Sequence, residues 1–195
     1  MARKINPSTG SGFIPSNVVS PRCRGIKTLA LVPAAGCGRR LGTGVRKPFV
    51  TLGGKPLIVH ALKTLDSCRS VNAIMIAAER PCIKRIEDII RRYRIKKVTA
   101  VVAGGRTRYH SVKNCIKKAR GPFDIILVHD AARPFVGKKL VEDSIGLARR
   151  HGSCVVAVPE SDTVKLSDGR GFVKKTLDRS LIYRAQTPQA SGPIS

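Results

Sequence analysis

The sequence predicts an α/β protein: a mostly parallel sheet covered by helices on both faces, with a β-arm protruding from it. Three observations carry that prediction. Short apolar runs of the kind that fill buried parallel strands recur along the chain. Stretches of helical periodicity stand between them. Each cluster of small, basic or acidic residues follows directly after one of those runs, and in parallel sheets ligands are handled beyond the carboxyl ends of the strands.

The elements follow in order. Leu29–Val32 is an unbroken apolar run and reads as the first strand. Pro56–Leu65 reads as a helix with proline at its first turn, where a missing N–H leaves no bond unmade. Ala73–Ala77 is a second strand, and Cys82–Tyr93 is a helix because Ile83, Ile86, Ile89 and Ile90 recur on one face. Val98–Val102 and Ile125–Val128 are further strands, separated by a helix over Tyr109–Ala119. Lys138–Arg150 then forms a helix and Cys154–Val158 a fifth strand.

The character changes after Pro159. Val164–Leu166 and Phe172–Leu177 flank Ser167-Asp168-Gly169-Arg170-Gly171, a turn-rich connector suited to a hairpin. A two-stranded hairpin outside the main sheet needs a covering partner, so residues 160–182 or thereabouts read as a dimerisation arm. Residues 1–25 are rich in Ser, Pro, Gly and Asn, with basic residues and no acid, and read as a disordered basic leader. The remaining residues, 26–195, form the functional domain.

Composition narrows the function classes. No apolar run approaches the length of a membrane span. The formal charge of +25 invites a nucleic-acid partner, but the cations are spread along the chain, aromatic residues are 4% and Trp is absent, so stacking platforms are scarce. Specific nucleic-acid binding is not expected, whereas anionic small molecules are. Six cysteines lie far apart, without zinc spacing or a Cys-x-x-Cys pair, and a reducing cytoplasm is the expected setting. A plastid-type targeting role for the leader is the lesser alternative.

The chemistry concentrates after the first strand, in Pro33-Ala34-Ala35-Gly36-Cys37-Gly38-Arg39-Arg40 with Lys47 beyond. Small residues let backbone N–H groups approach phosphate oxygens, and fixed cations neutralise the remaining charge. The loop is neither a P-loop, since Gly-Lys-Ser/Thr is missing, nor a dinucleotide fingerprint, since Leu41 stands where the third glycine belongs and Gly42 comes one residue late. Cys37, set among these cations, is either a thiol of lowered pKa or a small packing residue. His129 reads as a strand-end packing residue and His110 as a helix-surface one. Asp130 reads either as a turn or cap residue or as a metal ligand.

Taken together, the clusters resemble the 2-C-methyl-D-erythritol 4-phosphate cytidylyltransferase family. The residues carrying the likeness are the first loop with Lys47, Gly104-Gly105-x-x-Arg108-x-x-Ser111, and Val128-His129-Asp130-Ala131-Ala132-Arg133-Pro134. Asp162-Thr163-Val164-Lys165, Thr176-x-Asp178-Arg179 and Gln186-Thr187-Pro188-Gln189 complete the set, which runs from Lys27 to the chain end. The resemblance implies a Rossmann-like three-layer αβα nucleotide-diphospho-sugar transferase fold and transfer of CMP from CTP to methylerythritol phosphate.

It also implies roles for particular residues. Ala34, Ala35, Gly36 and Gly38 would wrap the CTP phosphates, while Arg40 and Lys47 would stabilise charge on the α-phosphate. Gly105 and Ser111 would contact the cytosine, with Arg108 supporting their loop. Asp130 would hold Mg²⁺. Ala131, Arg133, Thr163 and Thr187 would line the acceptor site. Arg179 on the arm would reach the substrate phosphate in the neighbouring subunit of a homodimer. The family continues past the Thr-Pro-Gln segment into elements with an acidic motif and a substrate lysine, so the resemblance implies that this chain, ending at Ser195, is a fragment without them. Two alternatives stand beside this reading: ribitol-5-phosphate cytidylyltransferase, and a catalytically impaired basic RNA-binding or scaffold fragment.

Overall fold

Apolar residues alternate between two faces of one sheet, and each face is covered by its own helices. The computed structural model describes residues 25–36 and 46–192. The basic leader up to Arg24, and Cys37, Gly38 and Arg40 of the first loop, lie outside the described residues.

The strands are β1 (Thr28–Pro33), the small pair β2 (Thr51–Leu52) and β3 (Lys55–Pro56), β4 (Ala73–Ala78), β5 (Val98–Ala103), β6 (Ile125–Val128), β7 (Ser153–Pro159), β8 (Lys165–Ser167), β9 (Val173–Thr176) and β10 (Tyr183–Ser191). The helices are α1 (Leu57–Ser67), α2 (Ile83–Arg92), α3 (Arg108–Lys118) and α4 (Lys138–His151). The main sheet runs β5-β4-β1-β6-β10-β7. β1 pairs in parallel with β4, from Leu29↔Ala73 to Pro33↔Ala77, and with β6, from Thr28↔Ile125 to Leu31↔Val128.

The twofold alternation of β-strand side chains divides the core. Ala30 and Val32 of β1 join Ile58, Leu62 and Leu65 of α1, Ile86 of α2 and Ile145 of α4 in one apolar cluster. Leu29 and Leu31 face the other way, onto Cys115, Val112 and Ile116 of α3. All four β1 side chains are fully buried. The expected isoleucine face of α2 is formed, with Ile86 and Ile89 buried and Ile83 and Ile90 packed at the margin.

The order of strands explains where a ligand can sit. From β1 the chain moves outward through β4 to β5, then crosses back to place β6 on the opposite side of β1. Successive connections therefore leave β1 and β6 in opposite directions. That creates a crevice beyond their carboxyl ends, the topological switch point where α/β sheets bind ligands.

Two compact units are formed: one holds the sheet residues up to Val155 and from Thr187 onward, and the other is Val156–Gln186. The second unit contains the β8–β9 antiparallel pair, with Lys165↔Thr176 and Leu166↔Lys175 in register. Its turn is shaped by the Asp168 carboxylate, which accepts the N–H groups of Arg170 at 2.8 Å and Phe172 at 3.2 Å. The predicted hairpin is thus formed, in a unit slightly wider than residues 160–182.

β10 is the main-sheet strand that sequence reading did not contain, and the short β2–β3 pair was not read either. β10 pairs antiparallel with β6, Gln189↔Val128 to Ser191↔Ile126. Its sequence, Tyr-Arg-Ala-Gln-Thr-Pro-Gln-Ala-Ser, is mostly polar and carries a proline, which argues against a strand inside a sheet. Two boundaries also shift. Pro56 ends β3 and caps α1, and Arg80–Cys82 form a short 3₁₀ turn ahead of α2.

Candidate active site

At the switch point lies a cleft of about 380 Å³. Its described walls come from three loops: Pro33–Gly36 after β1, Gly105–Arg108 after β5, and Asp130–Ala132 after β6, with Lys47 and Pro48 closing it. Three of the four sequence clusters therefore converge on one edge. The fourth, Asp162–Lys165, belongs to the Val156–Gln186 unit together with Arg179.

Backbone hydrogen bonds fix these loops against each other. The Ala34 N–H donates to the Ala77 carbonyl at 2.7 Å, the Gly104 N–H to Ala78 at 2.8 Å, and the Ala131 N–H to Pro33 at 3.3 Å. Packing leaves no room for a side chain at the loop after β5: a methyl group at Gly104 would overlap the Ala35 Cβ, and one at Gly105 would overlap His110. Gly36, in contrast, has open space around it. Ser111 is buried on the cleft wall, where its hydroxyl accepts the Gly105 N–H at 3.1 Å and donates to the Thr107 carbonyl at 3.1 Å. Ser111, expected to contact the cytosine, thus also holds the loop whose support was expected from Arg108.

Lys47 projects from a 3₁₀ turn, Lys47–Phe49, that is pinned on both sides. Before it, the Arg46 guanidinium meets Glu79 at 2.7 Å and donates to the Cys82 thiol at 2.8 Å. After it, Phe49 is buried beneath the Arg85 guanidinium, 4.2 Å from the ring centroid. Sequence reading singled out none of these supports, because each partner lies more than thirty residues away in the chain.

Among the described lining residues the charges are Lys47, Arg106 and Arg108 against the single acid Asp130. Thr107 caps α3, its hydroxyl accepting the His110 N–H at 3.3 Å, so the helix N-terminus opens beside these cations and adds partial positive charge. Such an edge is built for a polyanion. Arg106 and Thr107 are lining residues that the sequence patterns left unassigned.

The sequence of the 2-C-methyl-D-erythritol 4-phosphate cytidylyltransferase (IspD) family matches residues 28–192. The chain belongs to that family. It is 42% identical over 161 residues to the 2-C-methyl-D-erythritol 4-phosphate cytidylyltransferase of Geobacillus thermodenitrificans, covering 83% of this chain and 70% of that one. The same-named protein of Clostridium tetani is 35% identical over 164 residues, covering 84% of this chain and 66% of the relative. Among solved structures, the 4-diphosphocytidyl-2C-methyl-D-erythritol synthase of Anaerococcus prevotii superposes with a TM-score of 0.75 at 28% identity, covering 87% of this chain and 71% of that one.

Asp130 is the hinge of this cytidylyltransferase cleft. Its two carboxylate oxygens receive the Arg108 Nε at 3.0 Å and the Arg133 Nε at 3.3 Å. Arg108 reaches further, to the Gln189 side chain at 3.4 Å, and so ties the β5 loop to the β6 loop and β10 instead of supporting only its own loop. Arg133, expected on the acceptor wall, is exposed and engaged with Asp130; the described wall stops at Ala132. Among the described residues no group of three or more His, Cys, Asp or Glu side chains could cage a metal. A single carboxylate at the cleft suits Mg²⁺, which keeps waters and takes much of its coordination from phosphates.

Behind Asp130 stands a buried polar pair. His129 is fully buried and uses both ring nitrogens: Nε2 lies 3.1 Å from the Arg133 carbonyl and Nδ1 3.1 Å from the Thr187 hydroxyl. Burial pushes its pKa below the ordinary histidine value, against the weaker upward pull of the Arg133 carbonyl and the Asp130 charge. The same Thr187 oxygen accepts the Asp130 N–H at 3.3 Å. His129 is therefore more than the packing residue its sequence position suggests. Thr187, expected on the cleft wall, is buried at 8% exposure behind it. His110 is exposed at the start of α3, as read from the sequence.

Proposed function

We propose that this chain transfers CMP from CTP to 2-C-methyl-D-erythritol 4-phosphate, giving 4-diphosphocytidyl-2-C-methyl-D-erythritol and pyrophosphate. The observation that carries the proposal is the cleft at the β1–β6 switch point, whose small-residue cradle and cations belong to a chain of this family.

The residue types suit the reaction. The nucleophile is a phosphate monoester oxygen, anionic at neutral pH because its second pKa is about 6, so no general base is needed. Its oxygen attacks the α-phosphorus of CTP, a new P–O bond forms, and the bond to the β-phosphate breaks to release pyrophosphate. The work lies in holding two polyanions together and neutralising charge on the α-phosphate in an in-line displacement. Ala34, Ala35 and Gly36 form the cradle, with Gly38 continuing it. Lys47 and Arg40 supply positive charge at the transferring phosphate. Gly105 and Ser111 shape the wall for the base.

When bound, Mg²⁺ shields the phosphates and polarises the reacting centre; Asp130 is the residue that would hold it. Ala131, Arg133 and Thr163 belong to the acceptor side in this reading, with Thr187 buried behind the Asp130 turn. We further propose a homodimer formed through the Val156–Gln186 unit, with Arg179 presented to the partner's acceptor phosphate. The support is apolar exposure: Phe172 and Leu181 are 72% and 79% exposed on a unit whose two-stranded pair needs cover. None of the described helices is long and apolar enough to cross a membrane; a cytoplasmic setting is part of this proposal.

The test is pyrophosphate release from CTP with Mg²⁺, with methylerythritol phosphate as acceptor and ribitol 5-phosphate in parallel. Release with the first acceptor supports the proposal. Release with ribitol phosphate alone would reassign the acceptor, and release with neither would overturn the reading.

A further inference from the structure

The structure assigns His129 and Thr187 a joint positioning role: from behind the cleft wall they hold the Asp130–Arg133 turn in its working shape. The assignment rests on the transferase reading for its kinetic consequences, and on geometry alone for the clamp itself.

Donor and acceptor logic fixes the arrangement. A carbonyl oxygen only accepts, so the His129 Nε2, 3.1 Å from the Arg133 carbonyl, carries the proton. The neutral ring then offers Nδ1 as an acceptor, and the Thr187 hydroxyl donates to it at 3.1 Å. With its hydrogen so committed, the Thr187 oxygen accepts the Asp130 N–H at 3.3 Å. One unbroken chain of hydrogen bonds thus grips the turn at its first N–H and at its last carbonyl. The turn is closed across its middle by the Arg133 N–H donating to the Asp130 carbonyl at 3.0 Å.

Both gripping side chains are buried, His129 fully and Thr187 to 8% exposure. Their bonds are therefore shielded from water, and a lost partner would leave a buried polar atom unsatisfied. What they hold is the carboxylate that joins Arg108 to Arg133 at the cleft. Neither side chain is on the described cleft wall, and both are placed to act through the turn.

The two bonds of His129 can be removed separately, because a glutamine amide mimics Nε2 and an asparagine carbonyl mimics Nδ1. Four variants test the role: Thr187→Val, Thr187→Ser, His129→Asn and His129→Gln. Thr187→Val deletes the hydroxyl and keeps the shape. Amide exchange at Asp130 is expected to accelerate at least tenfold in that variant, while Ala30 in β1 is unchanged. In turnover, Thr187→Val is expected to lose tenfold or more in kcat with the KM for CTP within twofold, and Thr187→Ser to recover to within threefold of the parent. His129→Asn and His129→Gln should each lose kcat. The Thr187→Val/His129→Asn double variant should be no worse than the poorer single one, since both break one chain of bonds.

Unchanged Asp130 exchange in Thr187→Val would overturn the clamp whether or not the protein turns over. Additive losses in the double variant would mean that Thr187 contacts substrate directly, and would overturn the positioning role. So would a Thr187→Ser variant as poor as Thr187→Val, or a variant with lowered melting temperature and parental kcat. An inactive parent with accelerated exchange in Thr187→Val would fail the transferase reading and leave the clamp standing.

Discussion

The cleft and the β8–β9 arm obtain their order from different sources. In the cleft, three loops lean on one another: Gly104 presses on Ala35, Arg108 bridges to Asp130 and Gln189, and Thr187 reaches Asp130 from a strand nearly sixty residues away. The arm's hairpin has only local bonds. Every residue of β8 and β9 is exposed, and the turn is closed by Asp168 within four residues of itself. A site that one chain assembles through long-range packing can be read from that chain alone. The hairpin's apolar side chains Leu166, Phe172 and Val173 are exposed, the pattern that the proposed dimer would cover. In the proposed function this difference separates a cleft that would bind its nucleotide unaided from an arm whose contribution would depend on assembly.

The largest effect should come from the cleft. Lys47→Ala removes a cation held by a turn that Arg46, Glu79 and Phe49 fix in advance, so in the proposed transfer its charge would meet the phosphate without reorganisation. The kcat is expected to fall by about 100-fold or more, with CTP affinity, measured by equilibrium binding, changed much less. Comparable losses in both would place Lys47 in ground-state binding only.

Next comes the contact between the loops after β1 and β5. Gly104→Ala forces a methyl group against Ala35, which is backed by the Ala34–Ala77 backbone bond, so the loops must separate. Such overpacking costs about 1–3 kcal/mol. Gly36→Ala adds the same methyl in open space and is expected to leave stability within about 0.5 kcal/mol of the parent. Chemical denaturation of the pair checks this, and equal midpoints for the two variants would show that the loops do not press together in solution.

How much of this was legible follows the same division. Continuous apolar runs such as Leu29–Val32 and Ala73–Ala77 announced parallel strands because both of their faces are buried, and the glycines and cations after them announced a phosphate edge. β10 was not legible: with β6 beside it, Thr187-Pro188-Gln189 lies in the sheet although its composition reads as a loop. Long-range partners were hidden for a related reason. Arg46 with Glu79, or His129 with Thr187, carry no spacing signal, since only the folded sheet brings them together. A buried histidine using both nitrogens and a packed one look the same in sequence. The arm was legible as a hairpin from Ser167–Gly171 because its order is local.

The arm should respond to assembly rather than to its own bonds. Phe172→Asp together with Leu181→Asp places charge on its most exposed apolar side chains. The protein is expected to run as a monomer in light scattering and to lose about tenfold in kcat/KM for the acceptor, about 1.4 kcal/mol. Arg179→Ala should match that loss while the mass stays that of a dimer. A parent that is monomeric at all concentrations would break the comparison, because the arm would then be ordered without a partner.

The smallest effect concerns the side of the sheet away from that question, and its sign can be worked out. Burial pushes the Cys115 thiol, packed under α3, up to about 12 from an ordinary value of 9.0. Below pH 9 both the folded and unfolded thiol are protonated, and the group contributes no pH dependence. Between 9 and about 12 the unfolded chain releases a proton that the folded chain retains, so ionisation favours unfolding and stability falls as pH rises. From pH 9 to pH 10 the loss from this one group is about 1 kcal/mol, since the unfolded thiol is then mostly ionised and the folded one is not. Lysines and tyrosines also titrate there, so the measurement is a difference: the slope of unfolding free energy against pH in the parent less that in Cys115→Ala. A slope shallower in the variant by about 1 kcal/mol over that interval is expected. Equal slopes would mean that the thiol under α3 reaches water in the folded state, and that this face of the sheet is as open as the arm.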